Sequence, residues 1–227
     1  MLTAPRIPEL GQRDRFVRRA VKEGRVLTLA DEGRASVPSQ KVPGRTVQLF
    51  WSSPIEGKRW AEALTGDGSL QSISLAVFAA DILPGLGAAK GYVGTDWVAD
   101  PIEAEVDATD LQLRLKAQAM PGAVAALAAQ GQVYLVEGMS GPLLVPVTRR
   151  GVEVSLLYVF ASRVEAERQM KKAGGKKVII DPVGDFLSST LPWVMERGHT
   201  IVIEPIPGAG VVDVAPAVLS ARLRAAA

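Results

Sequence analysis

Cysteine is absent from the 227-residue sequence, and histidine occurs once, at His199. Without thiols the chain can form no disulfide bond, no thiolate metal site and no cysteine nucleophile. One histidine leaves only carboxylates for a metal, which does not match the ligand sets of zinc sites. His199 follows Gly198 and precedes an apolar segment, which predicts a helix-to-strand turn rather than a catalytic base. No G-x-S-x-G nucleophile motif is present, so we predict no catalytic residue, no metal and no cofactor.

Long apolar runs and an excess of one charge are also missing. Gly, Pro or charged residues interrupt every apolar stretch well short of the roughly 20 residues of a membrane span. The segment Met1–Arg25 is rich in Arg and lacks the apolar core of a secretory signal. The 26 basic and 24 acidic side chains nearly balance, with a net charge of +2. We therefore predict no membrane partner, no nucleic-acid partner and a cytoplasmic location.

What the sequence does contain is an internal repeat. Trp51 in VQLFWSSPIEGKRWAEAL aligns with Phe160 in LLYVFASRVEAERQMKKA, and blocks on either side match in the same order at nearly constant spacing. The further matching pairs are Gly24 and Gly131, Val26 and Val133, Phe78 and Phe186, Leu83 and Leu191, Pro84 and Pro192, and Val106-Asp107 and Val212-Asp213. Collinear matches of this kind indicate a tandem duplication.

Each copy has a helix-start signal directly after an apolar, aromatic run. Ser53-Pro54-Ile55-Glu56 in the first copy and Ser162-Arg163-Val164-Glu165 in the second have the Ser-x-x-Glu spacing of a capping box. The preceding runs read as buried strands. Strand, cap and helix therefore recur as one unit. Asp107 and Asp213 each precede a predicted helix, and we expect both to cap it.

The predicted element order is the same in both copies: helix, three strands, helix, short strand, helix, strand, helix. Hairpin strands mixed with helical crossovers predict an α/β (α+β) fold of two similar units, each a mixed β-sheet with packed helices. Met120-Pro121-Gly122 interrupts the helical pattern between predicted helices Ala108–Ala117 and Pro121–Gln130. We therefore expect units over 1–119 and 120–227.

The second copy resembles the SseB-like domain of bacteria. The resemblance depends on strands Val133–Val136 and Leu143–Val147, followed by VFASRVEAERQ, IDPVGDFLSSTLPW and HTIVIEP. The first copy resembles a related bacterial family of unknown function through LFWSS, SISLAVFAADILPGL and YVGTDWVAD. These families have no well-defined activity, and the resemblance implies an interaction or immunity module encoded near toxin or secretion genes.

The best candidates for a partner-binding patch lie in and near an acidic segment of the first copy. Trp60 aligns with polar Gln169, which suggests partial exposure, and Trp97 aligns with Pro205. An exposed tryptophan beside carboxylates is a typical interface anchor. The predicted patch consists of Trp60, Trp97, Asp96, Asp100 and Glu103. For Trp97 taken alone the leading interpretation is burial in the core, and for the acidic segment it is a solvated hairpin or loop.

We therefore expect a non-enzymatic protein-binding module whose partner is another protein. An immunity or accessory role beside a toxin or secretion system is its most specific form. The alternative is a carboxylate-based protein that binds a metal or small ligand, or a hydrolase, with its site around Asp96–Asp110. Self-association into a homo-oligomer is a third class.

Overall fold

The computed structural model describes residues 7–30, 36–65, 68–98, 104–149 and 151–226. The chain divides into two compact units, unit 1 (Met1–Gln118) and unit 2 (Ala119–Ala227). Both units are mixed α+β structures with the same succession of elements. The fold class predicted from the sequence is thereby confirmed.

Unit 1 begins with a helix and ends in the first part of another. Its elements are α1 (Ile7–Glu23), β1 (Arg25–Leu29), β2 (Ser36–Pro38), β3 (Thr46–Phe50), α2 (Pro54–Thr65), β4 (Leu70–Ser74), α3 (Leu75–Val77), a π-helical turn π1 (Phe78–Ile82), α4 (Leu83–Ala88), β5 (Tyr92–Thr95), β6 (Glu105–Asp107) and α5 (Ala108–Gln130). Strands β1 and β3 are both buried along most of their lengths, as their apolar runs predict.

Unit 2 repeats this order, with the second part of α5 in the place of α1. Its further elements are β7 (Gln132–Val136), β8 (Leu144–Arg149), β9 (Val152–Val159), α6 (Arg163–Ala173), β10 (Val178–Pro182), α7 (Val183–Asp185), a second π-helical turn π2 (Phe186–Thr190), α8 (Leu191–Glu196), β11 (Thr200–Ile203), β12 (Val212–Val214) and α9 (Pro216–Ala226). The repeated succession agrees with a duplication.

The sheets of the two units have the same strand order. Unit 1 has a four-stranded sheet β2-β3-β5-β6 and a pair β1-β4, and unit 2 has β8-β9-β11-β12 and β7-β10. The central pairs β3-β5 and β9-β11 are parallel, and the remaining pairs are antiparallel. A bridge at the same position joins the two sheets in each unit, Leu27 to Trp51 and Tyr134 to Phe160.

The registers of the parallel pairs define equivalent positions in the two units. Val47 lies opposite Tyr92 on β5, and Leu156 lies opposite Thr200 on β11. Residues on β3 therefore correspond to β9 at an offset of 109, and residues on β5 correspond to β11 at an offset of 108.

Each unit has a π-helical turn at the same position, a feature that the sequence pattern does not reveal. Phe78 and Phe186 begin the two turns and are fully buried. In each unit a Leu-Pro pair follows directly, with the proline at the start of the next helical segment. Proline has no backbone N–H to donate to the preceding turn. In unit 1 a carbonyl of that turn, Ala79, accepts from Gln112 Nε2 at 2.6 Å.

One predicted break is wrong. Helix α5 runs without interruption from Ala108 to Gln130 and contains Pro121, where the sequence predicts two separate helices. Met120, Val124 and Leu127 on this helix all pack into the core of unit 2. Their burial outweighs the loss of one backbone hydrogen bond at the proline.

The predicted capping roles are only partly correct. Asp107 caps α5, since its Oδ1 accepts from the backbone N–H groups of Thr109 and Asp110 at 2.9 and 3.1 Å. Asp213 caps no helix: it lies in β12 and forms an ion pair with Arg149. Strand β12 is antiparallel to β11, and its register places Asp213 opposite Val202 rather than at the helix start.

Neither predicted capping box has the bonds that the pattern leads one to expect. Ser53 Oγ accepts from the N–H of Ile55 at 3.3 Å, whereas Ser162 makes no side-chain cap. The glutamates of the boxes, Glu56 and Glu165, instead contact arginines: Glu56 lies 3.5 Å from Arg19, and Glu165 lies 2.6 Å from Arg168. Both glutamates thereby become part of the sites described next.

Candidate binding cleft

A cleft of about 430 Å³ opens in unit 2 between strand β9, helix α6 and the segment that follows β11. Strand β8 contributes Val145 to its wall. The side chains that determine its chemistry are Tyr158, Phe160, Glu165, Arg168, Lys172 and Glu204.

The apolar part of the cleft comes from strand β9 and its end. Tyr158 and Phe160 are two residues apart, so they project from the same face of the extended chain. Their rings stack with centroids 6.2 Å apart and an angle of 18° between the planes. Phe160 is 3% exposed, whereas Tyr158 is half-buried. The more accessible tyrosine therefore covers the buried phenylalanine and offers its ring to the cleft.

Helix α6 contributes the charged side. Glu165, Arg168 and Lys172 follow one another at spacings of three and four residues, which places them on one helix face. Arg168 Nη1 lies 2.6 Å from Glu165 Oε2, and the Glu165 side chain is 11% exposed. Arg168 thus pairs with Glu165, whereas the second carboxylate of the cleft forms no ion pair with the residues that the structure describes.

That second carboxylate is Glu204, directly after β11. Its Oε1 accepts from the backbone N–H of Gly210 at 2.9 Å. Burial raises the pKa of Glu204, and repulsion from Glu165 raises it further, whereas the Gly210 bond and Arg168 lower it. Burial prevails, so a cationic group that entered the cleft would stabilise the ionised carboxylate.

The equivalent place in unit 1 carries the same acidic pair. Asp96 corresponds to Glu204, Glu56 to Glu165 and Trp51 to Phe160. Two tryptophans, Trp60 and Trp97, stand where unit 2 has Gln169 and Pro205. The two indole rings pack against each other with centroids 6.1 Å apart.

Hydrogen bonds fix Trp97 in this position. Its Nε1 donates to the carbonyl of Ala104 at 2.9 Å, and Trp51 Nε1 donates to the carbonyl of Trp97 at 3.0 Å. Trp97 is 3% exposed and belongs to a core cluster with Trp51, against which Trp60 packs. The side chains that unit 2 lacks therefore fill this part of unit 1.

Asp96 is part of the same packed arrangement. Its side chain accepts from the Ser52 N–H at 2.6 Å and from Ser52 Oγ at 2.7 Å, and the residue is 0% exposed. Burial raises the pKa of Asp96; the bonds from Ser52 and the charge of Arg15 lower it, and Glu56 raises it. This carboxylate holds the chain after β3 and is inaccessible to a partner.

A glycine provides the space for the Trp97 ring. A Cβ atom on Gly94 would lie 2.9 Å from Trp97 Cε2 and Nε1, closer than side-chain packing permits. Val202 occupies the equivalent place on β11 and is fully buried. Unit 2, which has Pro205 in place of Trp97, can therefore carry a side chain there.

The three described residues of the predicted partner-binding patch do not form a surface patch. Asp96 and Trp97 are buried, so neither can contact a partner, and Trp60 is half-buried. Trp97 belongs to the core, which was the leading interpretation for this residue. Asp100 and Glu103 lie outside the described residues.

Sequence reasoning missed the cleft of unit 2, although its signal was present. The repeat alignment sets Trp60 against Gln169 and Trp97 against Pro205, so large side chains in one copy are small or polar in the other. The mismatch at Trp60 predicts its partial exposure, and Trp60 is half-buried. Its second consequence, an open space in unit 2, was not predicted.

The described part of the chain lacks two further features. None of its helices is both long and apolar enough to cross a membrane. Within the same residues, no three His, Asp or Glu side chains are grouped so that they could hold a metal ion.

Comparison with known proteins gives one family match, in the first half of the chain. Residues 13–115 match a family described as "Protein of unknown function (DUF2750)". No curated protein matches the chain. The resemblance to the SseB-like domain is wrong, because the family match is to a different family and no SseB-like domain is found.

Two solved structures show a distant likeness. One is Anabaena Tic22, described as protein transport, with a TM-score of 0.24, 14% identity, and coverage of 86% of this chain and 93% of that chain. The other is Tic22 from Plasmodium falciparum, with a TM-score of 0.23, 10% identity, and coverage of 85% and 93%. TM-scores of this size are too low to support an argument about fold or function.

Proposed function

We propose that the chain is a non-enzymatic protein-binding module that takes up a segment of a partner protein in the cleft of unit 2. The observation that carries the proposal is the open cleft itself: Tyr158 and Glu204 face a space that two indole rings fill in unit 1. Because unit 1 folds with this space filled, the fold does not require the space to be open in unit 2.

The composition of the cleft favours a protein segment. An aromatic and aliphatic centre with charged groups around it is the usual arrangement of a protein–protein contact. A volume of about 430 Å³ lies in the range of sites that enclose a small group. Such a cleft holds one or two side chains of an extended segment rather than a whole folded surface.

The charges favour a lysine or arginine in that segment. The partner's cationic group would reach Glu204, which lacks the ion pair that Glu165 has with Arg168. Its aliphatic stem would lie along the Tyr158 ring, where a cation–π contact adds to the attraction. A basic side chain thus matches both the apolar and the acidic part of the cleft.

The biological setting stays a prediction. The absence of cysteine fits a reducing compartment, and we propose a cytoplasmic location on that ground. An immunity or accessory role beside a toxin or secretion system remains the most specific form of the proposal. Neither is needed for the test of the cleft.

The test fills the cleft with the side chain that unit 1 uses. Gln169→Trp places an indole on α6 at the position of Trp60, and Glu204→Gln removes the carboxylate without changing its size. Lys171→Trp is the matched control, because it adds the same indole to the exposed face of α6, outside the cleft lining.

Tagged variants are used to capture partners from the native cells, and the binding segment is located by cross-linking and mass spectrometry. We expect a stoichiometric partner whose cross-linked segment contains Lys or Arg, with its capture reduced at least about tenfold by Gln169→Trp and Glu204→Gln, a loss of roughly 1.4 kcal/mol. Lys171→Trp should retain it. Equal capture by Gln169→Trp and the wild type would remove the cleft as the binding site.

A further inference from the structure

We propose that strand β10 of unit 2 pairs with β10 of a second copy of the chain, so that two molecules form an antiparallel dimer. Strand β10 has β7 on one side, and no other described strand pairs with it. Its second edge is therefore free within the part of the chain that the structure describes. This dimer does not depend on occupation of the cleft in unit 2.

Backbone hydrogen bonds at the two ends of β10 show which of its residues face the free edge. The carbonyl of Lys177, just before the strand, accepts an N–H from the chain after β7 at 2.8 Å, and the N–H of Val183 donates to the carbonyl of Gly131 at 2.9 Å. The odd-numbered residues thus bond towards β7. Because the bonding side alternates along an antiparallel strand, Val178 and Ile180 turn their N–H and carbonyl groups outward, where they can pair with another strand.

The side chains of this edge differ from those of the equivalent strand in unit 1. The registers of the paired strands align Ile180 with Ser72 and Ile179 with Gln71 on β4. Ile180 is 50% exposed. Since unit 1 forms the same pair of strands with a serine at this position, the fold does not require the isoleucine. An uncharged Val-Ile-Ile run on a free edge has the composition of a segment that pairs with another strand.

The charges along the edge favour an antiparallel second copy. Lys176 and Lys177 lie just before the strand, whereas Asp181 lies at its other end with Asp185 near enough to repel it. Lys177 is 3.1 Å from Glu137 Oε2, so the basic end carries less net charge than its two lysines suggest. In an antiparallel pair the basic end of one copy meets the acidic end of the other, whereas a parallel pair would bring like charges together.

The backbone selects a register centred on Ile179. Val178 of each copy then lies opposite Ile180 of the other, and these residues exchange both of their N–H···O bonds. A shift by two residues in one direction would set Val178 opposite Pro182, which has no N–H. The opposite shift would set Ile180 opposite Lys176, whose N–H already donates within unit 2 at 2.9 Å.

The same register sets Lys177 of each copy opposite Asp181 of the other. Asp181 Oδ2 accepts from Thr190 Oγ1 at 2.8 Å, which leaves Oδ1 for the lysine. The Lys177 side chain is 71% exposed and its ammonium group has three donors, so it can bond to Glu137 and Asp181 together. The two-fold symmetry of the pair makes each of these contacts twice.

Sedimentation velocity of the full chain from about 5 µM to about 1 mM tests for the dimer. With five residues per copy, the ladder buries less than the roughly 1,200 Å² of stable interfaces, so we expect a Kd of about 10–100 µM. A wild-type chain that stays monomeric up to about 1 mM would overturn the proposal.

Ile180→Pro removes an outward N–H and leaves the bonds to β7 in place, so it should weaken the dimer at least about tenfold. Ser72→Pro makes the matched change on β4 and should associate as the wild type does. Circular dichroism and urea unfolding check that both variants fold. Ile180→Ser, which keeps the N–H and installs the residue of unit 1, should weaken the dimer about threefold or more. A dimer that both changes at Ile180 leave intact would remove β10 as the interface.

An exchange of charges tests the register. Lys177→Asp alone sets carboxylates against Asp181 of the other copy, and Asp181→Lys alone sets lysines against Lys177, so each should weaken self-association at least about tenfold. An equimolar mixture of the two variants should restore the dimer, because every contact again joins opposite charges. Lys171→Asp, the same charge change on the exposed face of α6, should associate as the wild type does. A mixture that associates no more tightly than either variant alone would overturn the antiparallel pairing.

Discussion

In unit 1 the space beside strand β3 is filled by Trp60 and Trp97, whereas in unit 2 the same space beside β9 is an open cleft. The framework around it is the same in both units, from the strand order to the π-helical turns. An acidic residue ends the equivalent strand in each unit, Asp96 in the first and Glu204 in the second. The difference therefore lies in a few side chains, and it converts a buried structural carboxylate into an accessible one.

Those side chains vary together. Where unit 1 has Trp97 it also has Gly94, and where unit 2 has Pro205 it has Val202. A large residue in the loop and a large residue on the strand cannot share the space, as the Cβ distances at Gly94 show. Each unit thus has its own consistent packing, and each can be disturbed at matched positions.

The largest effect is expected from Trp97→Ala, which empties the filled site of unit 1. Truncation of a fully buried aromatic side chain costs about 3–5 kcal/mol of unfolding free energy. The Ala104 carbonyl also loses its hydrogen bond from the indole. Urea unfolding followed by circular dichroism measures the change.

Pro205→Ala at the equivalent position of unit 2 is the control for this variant. It removes no indole and no indole hydrogen bond, so its cost should stay below about 1 kcal/mol. Similar costs for both variants would mean that the two units do not differ in packing at this site.

Gly94→Ala should have the next largest effect, because the new methyl group meets the Trp97 ring and Leu49. Overpacking of this kind costs about 1–3 kcal/mol. In the Trp97→Ala background the cost should fall, since one of the two clashing groups is gone, and a double-mutant cycle in urea measures that coupling. Additive costs would contradict the proposed contact.

Gly85→Ala serves as the control with the same chemical change. Gly85 lies in α4, and a Cβ atom there would meet nothing within 4 Å. Alanine is preferred over glycine inside a helix by up to about 1 kcal/mol, so this variant should be stabilised. Destabilisation by Gly85→Ala would show that any added methyl disturbs this unit.

The repeat and most of the element order could be predicted from the sequence because they depend on local patterns. The short strands β6 and β12, each directly before the last helix of its unit, were not predicted. Apolar runs, Ser-x-x-Glu signals and the Phe-Leu-Pro matches each mark one element. The continuity of α5 through Pro121 could not be predicted, because it depends on the packing of Val124 and Leu127 against distant strands. Local propensity gives way there to tertiary burial.

The candidate site followed from the sequence only in part. The mismatches of Trp60 with Gln169 and of Trp97 with Pro205 are visible in the alignment, but the direction of the indole rings is not. Trp97 turns inward because Gly94, three residues before it, leaves the space for the ring. A tryptophan beside carboxylates in the sequence suggests an exposed interface residue, but it gives no information on a space in the core that could hold the ring.

The smallest expected effect concerns the pH dependence of stability and compares the two carboxylates. Burial raises the pKa of Asp96 above its ordinary value of 3.8. At pH values between the pKa of Asp96 in the unfolded chain and its higher pKa in the folded chain, the folded chain binds more protons than the unfolded chain. The free energy of unfolding therefore falls as the pH rises through this window. Asp96→Asn removes this titration, and its side chain can still accept from the Ser52 N–H and donate to Ser52 Oγ. Urea unfolding at a series of pH values upward from about 4 should therefore give a shallower fall for Asp96→Asn than for the wild type.

Glu204→Gln completes the comparison, because burial raises the pKa of Glu204 in the same direction. It too should make the fall in stability shallower, and Asp181, whose pKa burial also raises, should leave a residual slope in both variants. The two substitutions should differ in binding: Glu204→Gln weakens capture of the partner, whereas Asp96→Asn leaves it unchanged because Asp96 is buried. Weakened capture by Asp96→Asn alone would reverse the assignment of the open and the closed site. An equal pH slope in wild type and Asp96→Asn would show instead that the bonds from Ser52 compensate the burial of this carboxylate in full.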